Sequence, residues 1–442
     1  MGEALSTIAA GQTPVAESQS RGAAMMAFIG ELFPICRSIT GPGVRETLRR
    51  IGEHIPIKRT EVPTGTKVFD WDIPEEWSIR EAHVTGPGGK RVIDFAEHTL
   101  HILNYSVPVR ATMPLAELRK HLHTLPARPD WIPYRTSHYK RDWGFCLTQR
   151  ALDALPDGDY QVVIDTTIAP GSLTLGECYL PGEVEDEVLF YAHVCHPSMC
   201  NDNLSGIAVA TFLARALAAM PRRRLSYRFV FGPATIGSIS WLSLNEARVK
   251  RIKHGLALAS LGDAGHLTFK RSRRGDTDTD RILDHVMKSV DGSCEDFTPY
   301  GYDERQFCSP GFDLAFGRLT RTSNGLYPEY HTSADNLSFI SAQALEGSLD
   351  ALMRIVELFE ANVRYLNLSP KGEPRLGPRG LFSSKYGLPP GEFEHALLWM
   401  LNQSDGGHDL LDIVQRSKID ARLLDAAARA LVDAGLLAQQ PA

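Results

Sequence analysis

The spacing of apolar positions changes character along the chain. Met25, Phe28, Ile29, Leu32 and Phe33 recur at i, i+3, i+4 intervals and predict a helix ending near Pro34. After Gly41-Pro42-Gly43 a second helical pattern carries Leu48 and Ile51. From 61 to 144 the texture becomes short and alternating, as in HTLHILNYSVPVRATM, set among Trp71, Trp77, Trp131 and Trp143 with Gly86-Pro87-Gly88-Gly89 as a turn. This stretch predicts a small β-rich insertion. Three compact runs then follow, QVVIDTTI, EVLFYAHV and YRFVFGP, which read as strands buried on both faces. Between the last two lies GIAVATFLARALAAM, a strong helix former. Strand, helix and strand in that order predict parallel pairing through a right-handed crossover. GLALASLGD reads as a further strand, and residues 338–363 as a long amphipathic helix.

The Pro- and Gly-containing stretch 369–391 reads as a linker, and the patterns at 392–403, 408–416 and 420–437 as three short helices. The predicted architecture is therefore α/β, with a mixed, mostly parallel sheet flanked by helices. It is divided into a split domain (23–60 and 145–368), the insertion at 61–144, the linker, and a winged-helix-like unit at 392–442. That last unit carries eight acidic residues against four basic ones, so it offers little to phosphates. Protein contact, including a homodimer through this unit, is favoured over nucleic acid.

Composition narrows the class further. A hydrophobic share of 43% in 442 residues excludes a disordered chain, and a net charge of −6 argues against a general nucleic-acid binder. No apolar run is long enough to span a membrane, so no membrane partner is expected. The opening MGEALSTIAAGQTPVAESQS has neither a basic segment nor an apolar core of the kind a secretory signal needs. Seven scattered cysteines, an odd number, are unlike a disulfide framework. A cytoplasmic protein is the expectation. Cys195 and Cys200 form the one close pair, and buried thiols are favoured over metal thiolates there.

The densest polar constellation is YAHVCHPSMCNDNLSG, residues 191–206, where one strand runs out and a helix begins. Open α/β sheets bind ligands at the carboxyl ends of their strands. His193 and Asp202 offer nitrogen and oxygen donors suited to Zn²⁺, whose catalytic sites use three protein ligands and one open position. The best third donor is His331 in YPEYHTSADN, with His196 and Cys200 as alternatives. Asp263 is open as a fourth ligand, a neighbour of the ligands, or a turn residue before Gly265. Asp335 is expected to orient His331. Asp303, Glu304 and Arg305 in YDERQF are candidate substrate-binding residues; Arg305 would either clamp a carboxylate or neutralise Glu304.

His193, Asp202-Asn203, TIGS at 235–238 and Tyr330-His331-Thr332 with Asp335 stand in the order seen in the zinc aminopeptidase superfamily, which includes leucyl-type aminopeptidases and glutaminyl cyclase. More closely, the chain resembles a bacterial aminopeptidase-like family with a small inserted domain and a C-terminal winged helix. The matching segments are LFPICRSITGPGVRETL, SHYKRDWGFCL, HVCHPSMCNDNLSG, PATIGS, YDERQFCSPGFD and YPEYHTSADN. The resemblance implies that His193, Asp202 and His331 are metal ligands and that the Asp202–Asn203 peptide is cis. Cys195 stands where many members have an aspartate beside the ligands.

The chain departs from the family at Pro233-Ala234-Thr235, where the resemblance leads one to expect a glutamate at 234 as general base. A methyl group neither accepts nor returns a proton. Thr235 also replaces a second carboxylate, which favours one Zn²⁺ over two. The resemblance implies metal-assisted hydrolysis of an amide in a small peptide or aminoacyl-conjugated substrate, with Tyr330 or a backbone N–H supporting the oxyanion. Ala234 is read as a Glu→Ala change, engineered in preference to natural, that leaves binding and impairs turnover; a displaced carboxylate is the other route. The rival readings are an inactive aminoacyl- or peptide-binding sensor and a cyclase-like amide rearrangement.

Overall fold

A computed structural model describes residues 20–381 and 391–440; the reading of the first twenty residues falls outside it except at Ser20, as does the 382–390 part of the expected linker. Eight strands make the central sheet: β1 (Lys58–Pro63), β2 (Ser172–Leu180), β3 (Glu187–His193), β4 (Ser226–Gly232), β5 (Ile252–Leu258), β6 (Thr268–Lys270), β7 (Ser293–Glu295) and β8 (Phe316–Thr320). Their spatial order is β1-β2-β4-β3-β5-β8-β6-β7. The four central strands β4, β3, β5 and β8 are mutually parallel, and β1, β2 and β6 introduce antiparallel pairs. The mixed, mostly parallel sheet expected from the sequence is present.

Among the described residues the helices of eight residues or more are α1 (Arg21–Leu32), α2 (Pro42–Ile51), α3 (Gly206–Ala218), α4 (Ile236–Leu244), α5 (Asp278–Ser289), α6 (Ala342–Ala361), α7 (Glu392–Gln403), α8 (Leu410–Ser417) and α9 (Ala421–Asp433). Every residue of β3 and β4 is buried, because both faces of these strands are covered. Alternate side chains serve opposite layers. Phe190 and Phe229 join Phe28 of α1, Leu213 of α3 and Leu352 of α6 in one core. Tyr191 and Val230 join Trp241 of α4 with Trp77 and Phe145 of the insertion in the other.

Two boundaries differ from the sequence reading. QVVIDTTI is not a strand of the central sheet. It lies in Asp159–Ala169, which pairs with Glu76–Thr85 and Val109–Pro114 in the insertion's four-stranded antiparallel sheet, Arg91–Asp94 completing it. Its burial alternates as a one-faced strand should, and half-buried Val163 and Ile168 made the run look uniformly apolar. The insertion therefore extends to about residue 169. At the other end, Arg364–Asn367 pairs with Asp405–Asp409 and Leu437–Gln439, so the C-terminal unit begins before the expected linker. Leu376 and Leu381 of that linker pack into the same core as Phe393, Leu397, Leu424 and Leu431. The unit is tied to the α/β domain by Arg281 of α5, which donates to Asp409 at 2.8 Å and Asp412 at 2.7 Å. No helix among the described residues is long and apolar enough to cross a membrane.

Candidate metal centre

β3 delivers His193 to the carboxyl edge of the sheet, and the chain then turns through residues 194–205 before entering α3. Gly206 is required at the start of that helix, because a Cβ there would stand 2.3 Å from Asn203 Oδ1 and 2.5 Å from the Leu258 carbonyl oxygen. The Asp202–Asn203 peptide is cis, as the resemblance implies.

Asp202 is the centre of the arrangement. Its Oδ1 lies 2.9 Å from His193 Nε2, and its Oδ2 lies 3.0 Å from His331 Nε2. His196 joins them, with Nδ1 3.3 Å from Asp202 Oδ2. His193, His196 and Asp202 can each offer a ligand atom, all within 4.8 Å of one another. The three residues expected to meet thus do meet at one carboxylate. His196, the alternative donor, stands slightly farther from the same carboxylate, at 3.3 Å.

Buried neighbours hold this loop. Asp335 accepts the N–H groups of Asn201 at 2.6 Å and Asp202 at 2.9 Å, while its own carbonyl accepts Cys200 N–H at 3.0 Å. It fixes the Asp202 backbone instead of orienting the His331 ring, the role expected from sequence. Asp263 accepts from Asn201 Nδ2, Thr322 Oγ1 and Gly265 N–H at 2.7–2.8 Å. Its carboxylate is filled by donors, so it is a turn residue that also anchors the loop through Asn201, and the fourth-ligand alternative is set aside. Buried Arg37 donates from Nε to the His196 carbonyl at 2.8 Å and from Nη1 to the Leu32 carbonyl at 2.7 Å. It lies in LFPICRSITG, a segment legible in the sequence without any indication of this contact.

Charge in the cluster follows from its surroundings. Burial alone would raise the Asp202 carboxyl, but the adjacent His196 and His193 and its hydrogen bonds hold it well below the carboxylate range. Burial pushes His196 down to about 3, so its ring is neutral and keeps a lone pair for a cation. Burial raises Asp335 to about 7 against the lowering effect of its N–H donors.

The remaining candidates separate clearly. Ala234 follows β4, and its N–H donates weakly to buried Cys195 Sγ at 3.4 Å. Burial pushes the Cys195 thiol up to about 12, so it is not a ready thiolate ligand. Cys200 is likewise buried. Asp303 Oδ1 accepts from Thr235 N–H at 2.8 Å and Ser238 Oγ at 2.6 Å, tying it to the turn that bears Ala234; its Oδ2 is buried without a partner. Glu304 is fully buried against Lys270 Nζ at 3.0 Å. Lys270, not Arg305, neutralises it, and that carboxylate engages the fold instead of a substrate.

Three tyrosines lie against the histidines, and a fourth, Tyr327, packs on Tyr330. Tyr302 stacks on His193 with centroids 5.2 Å apart, and Tyr330 on His331 at 4.0 Å. Tyr327 and Tyr302 approach Ser260 Oγ at 3.3 and 3.0 Å. Tyr134 comes from the insertion and meets His196 and His331 edge-on at 5.3 and 5.2 Å. Tyr134 and Tyr302 were not among the sequence candidates; nothing in their local sequence distinguishes them from core aromatics. Ser198, Thr235, Ser260 and His331 all take positive φ, a concentration of backbone strain typical of functional loops.

Comparison with known proteins accords with this geometry. Residues 26–362 match the family described as a domain of unknown function, DUF4910, and residues 363–439 match a winged helix-turn-helix, HTH_47. A Clostridium acetobutylicum protein named for polysaccharide biosynthesis and an aminopeptidase-like domain is 49% identical over 411 residues, covering 92% of this chain and 94% of its own. A crystal structure of a presumed peptidase from C. acetobutylicum superposes with a TM-score of 0.88 at 48% identity, covering 95% of this chain and 96% of that one. A zinc aminopeptidase from Bacillus subtilis shares the fold at a TM-score of 0.55 and 15% identity, covering 76% of this chain and 94% of that one. With a 337-residue match to the first family and a winged helix-turn-helix behind it, the chain belongs to the DUF4910 family and carries an aminopeptidase-like fold.

Proposed function

We propose that this protein is a zinc-dependent hydrolase of the aminopeptidase type, built to cleave an amide in a small peptide or aminoacyl conjugate and impaired in turnover by Ala234. The observation that carries the reading is the convergence of His193, His196 and His331 on the Asp202 carboxylate at the carboxyl end of β3. The donor set fits Zn²⁺: neutral imidazole and ionised carboxylate are its usual nitrogen and oxygen ligands. When bound, zinc would supply Lewis acidity for a substrate carbonyl and lower the pKa of a water to about 7. The loss of carboxylates at 234 and 235 favours one ion.

The chain's own groups set the direction of approach. Side-chain exposure rises from 0% at Asp202 and 2% at His193 to 11% at His196 and 34% at His331. A substrate therefore arrives over His331. There the insertion leans on the site: Ile132 and Ser333 exchange hydrogen bonds at 2.9 Å, and Tyr134 N–H donates to the His331 carbonyl at 2.8 Å. This contact supports a narrowed approach suited to small substrates. The relative's association with polysaccharide biosynthesis adds amide-bearing sugar precursors to those worth assaying.

At position 234 no proton can be taken from water or given to a leaving nitrogen. Asp303 favours a second reading, because its partnerless Oδ2 belongs to a carboxylate bound to the same turn. Restoring glutamate decides between them. With zinc content measured, Ala234→Glu is expected to raise hydrolysis of aminoacyl anilides by roughly 10²–10⁴-fold. No gain in the zinc-loaded variant, with hydrolysis in the unsubstituted chain abolished by Asp303→Asn, favours the displaced carboxylate; no hydrolysis in either favours a binding module. A product lighter by ammonia instead of heavier by water identifies rearrangement.

A further inference from the structure

Among the tyrosines around the metal centre, one hydroxyl has nothing to bond. Tyr134 Oη is buried and lacks any hydrogen-bond partner, whereas Tyr302 reaches Ser260 Oγ at 3.0 Å and Tyr327 reaches it at 3.3 Å. A buried phenol left unsatisfied is destabilising, and such groups call for a particular explanation. Its placement is well defined. The ring touches His196 and His331 edge-on, its N–H is fixed to the His331 carbonyl, and Pro133 bridges to Thr332 beside it. The ionisable groups near enough to act on the hydroxyl electrostatically are Cys195, Asp202, Cys36 and Tyr330. None bonds it. The two imidazoles it contacts are also the two more exposed ones, on the side from which a substrate enters.

We infer that Tyr134, supplied by the insertion, is the hydrogen-bond donor to the carbonyl-type oxygen of an aminoacyl ligand seated against His196 and His331. This rests on the hydrolase reading above and names the residue that recognises the ligand. It also assigns the insertion a part in the site beyond narrowing its entrance.

The test uses the zinc-loaded full chain and leucine hydroxamate as probe, with calorimetric affinity and zinc stoichiometry measured together. Tyr134→Phe is expected to weaken binding by roughly 10–100-fold, the range that one hydrogen bond to a charged oxygen contributes, with zinc content unchanged. Equal affinity in both proteins overturns the inference while leaving the hydrolase reading intact. No binding by the unsubstituted chain removes both. A second readout needs no ligand. Removing a hydroxyl that bonds nothing should leave the melting temperature of the free protein unchanged or higher. A fall of several degrees would mean that the hydroxyl serves the fold, and the inference would fail.

Discussion

Asp202 Oδ2 and His331 Nε2 lie 3.0 Å apart although 129 residues separate them. β3 and the loop after it supply the carboxylate; the turn before α6 supplies the imidazole. Neither segment holds the whole cluster, so the proposed ligand set exists only in the folded chain. Zinc should therefore stabilise the fold, and by the mass-action rule the melting temperature should rise with free zinc. Asp202→Ala should abolish that rise. His331→Ala and His196→Ala separate the two possible third ligands: the true ligand should cost well over tenfold in zinc affinity, its neighbour much less. Equal, small losses from both would show that the ion sits elsewhere.

Asp335 reaches the centre only through backbone. It accepts two N–H groups, from Asn201 and Asp202, and so sets the direction in which the Asp202 side chain leaves the loop. Asp335→Asn presents an NH₂ group to one of those donors. A loss of roughly 10–100-fold in zinc affinity is expected, as for other residues that position ligands. It should come with about 1–3 kcal/mol of lost stability in denaturant melts. Unchanged affinity would mean that the loop holds its shape without this carboxylate.

How much of this was legible in the sequence follows from what each feature depends on. EVLFYAHV, GIAVATFLARALAAM and YRFVFGP each state a local pattern strongly, and β3, α3 and β4 appear where expected. QVVIDTTI states its pattern just as strongly, yet its sheet is chosen by its partners at 76–85 and 109–114, which no local pattern encodes. The site divides in the same way. That His193, Asp202 and His331 come together was legible through motif order. The placement of Tyr134 was not, because it arises from a long-range contact between the insertion and the turn at 331–333. The approach of His196 is a tertiary feature as well: the turn after His193 folds back so that an imidazole three residues on meets the same carboxylate.

Arg281 joins the α/β domain to the C-terminal unit through Asp409 and Asp412, and Arg422 of α9 adds a pairing to Glu357 of α6 at 2.7 Å. Asp409 is buried and caps α8 by accepting Asp412 N–H, so removing its cation leaves a charge away from water. Arg281→Ala should cost about 1–3 kcal/mol and loosen the C-terminal unit first. Limited proteolysis should then release a fragment ending near residue 363, and calorimetry should show a second, earlier transition. A single unshifted transition would show that apolar contacts alone hold the interface.

Acid should weaken the fold through buried histidines as well as carboxylates. Burial lowers His138 to about 4 and His254 to about 3, the latter stacked on Phe359 at 4.2 Å. Both lie below the ordinary histidine value of about 6.5, so over that interval the unfolded chain binds more protons than the folded one. Their contribution is complete above about pH 6.5 and is lost as pH falls through about 4 for His138 and about 3 for His254. The melting temperature should therefore decline between about pH 7 and pH 4.5. His254→Leu keeps the apolar stack but cannot take a proton, so its decline should be shallower than that of the unsubstituted protein. Parallel curves for the two proteins would assign the acid sensitivity to other groups.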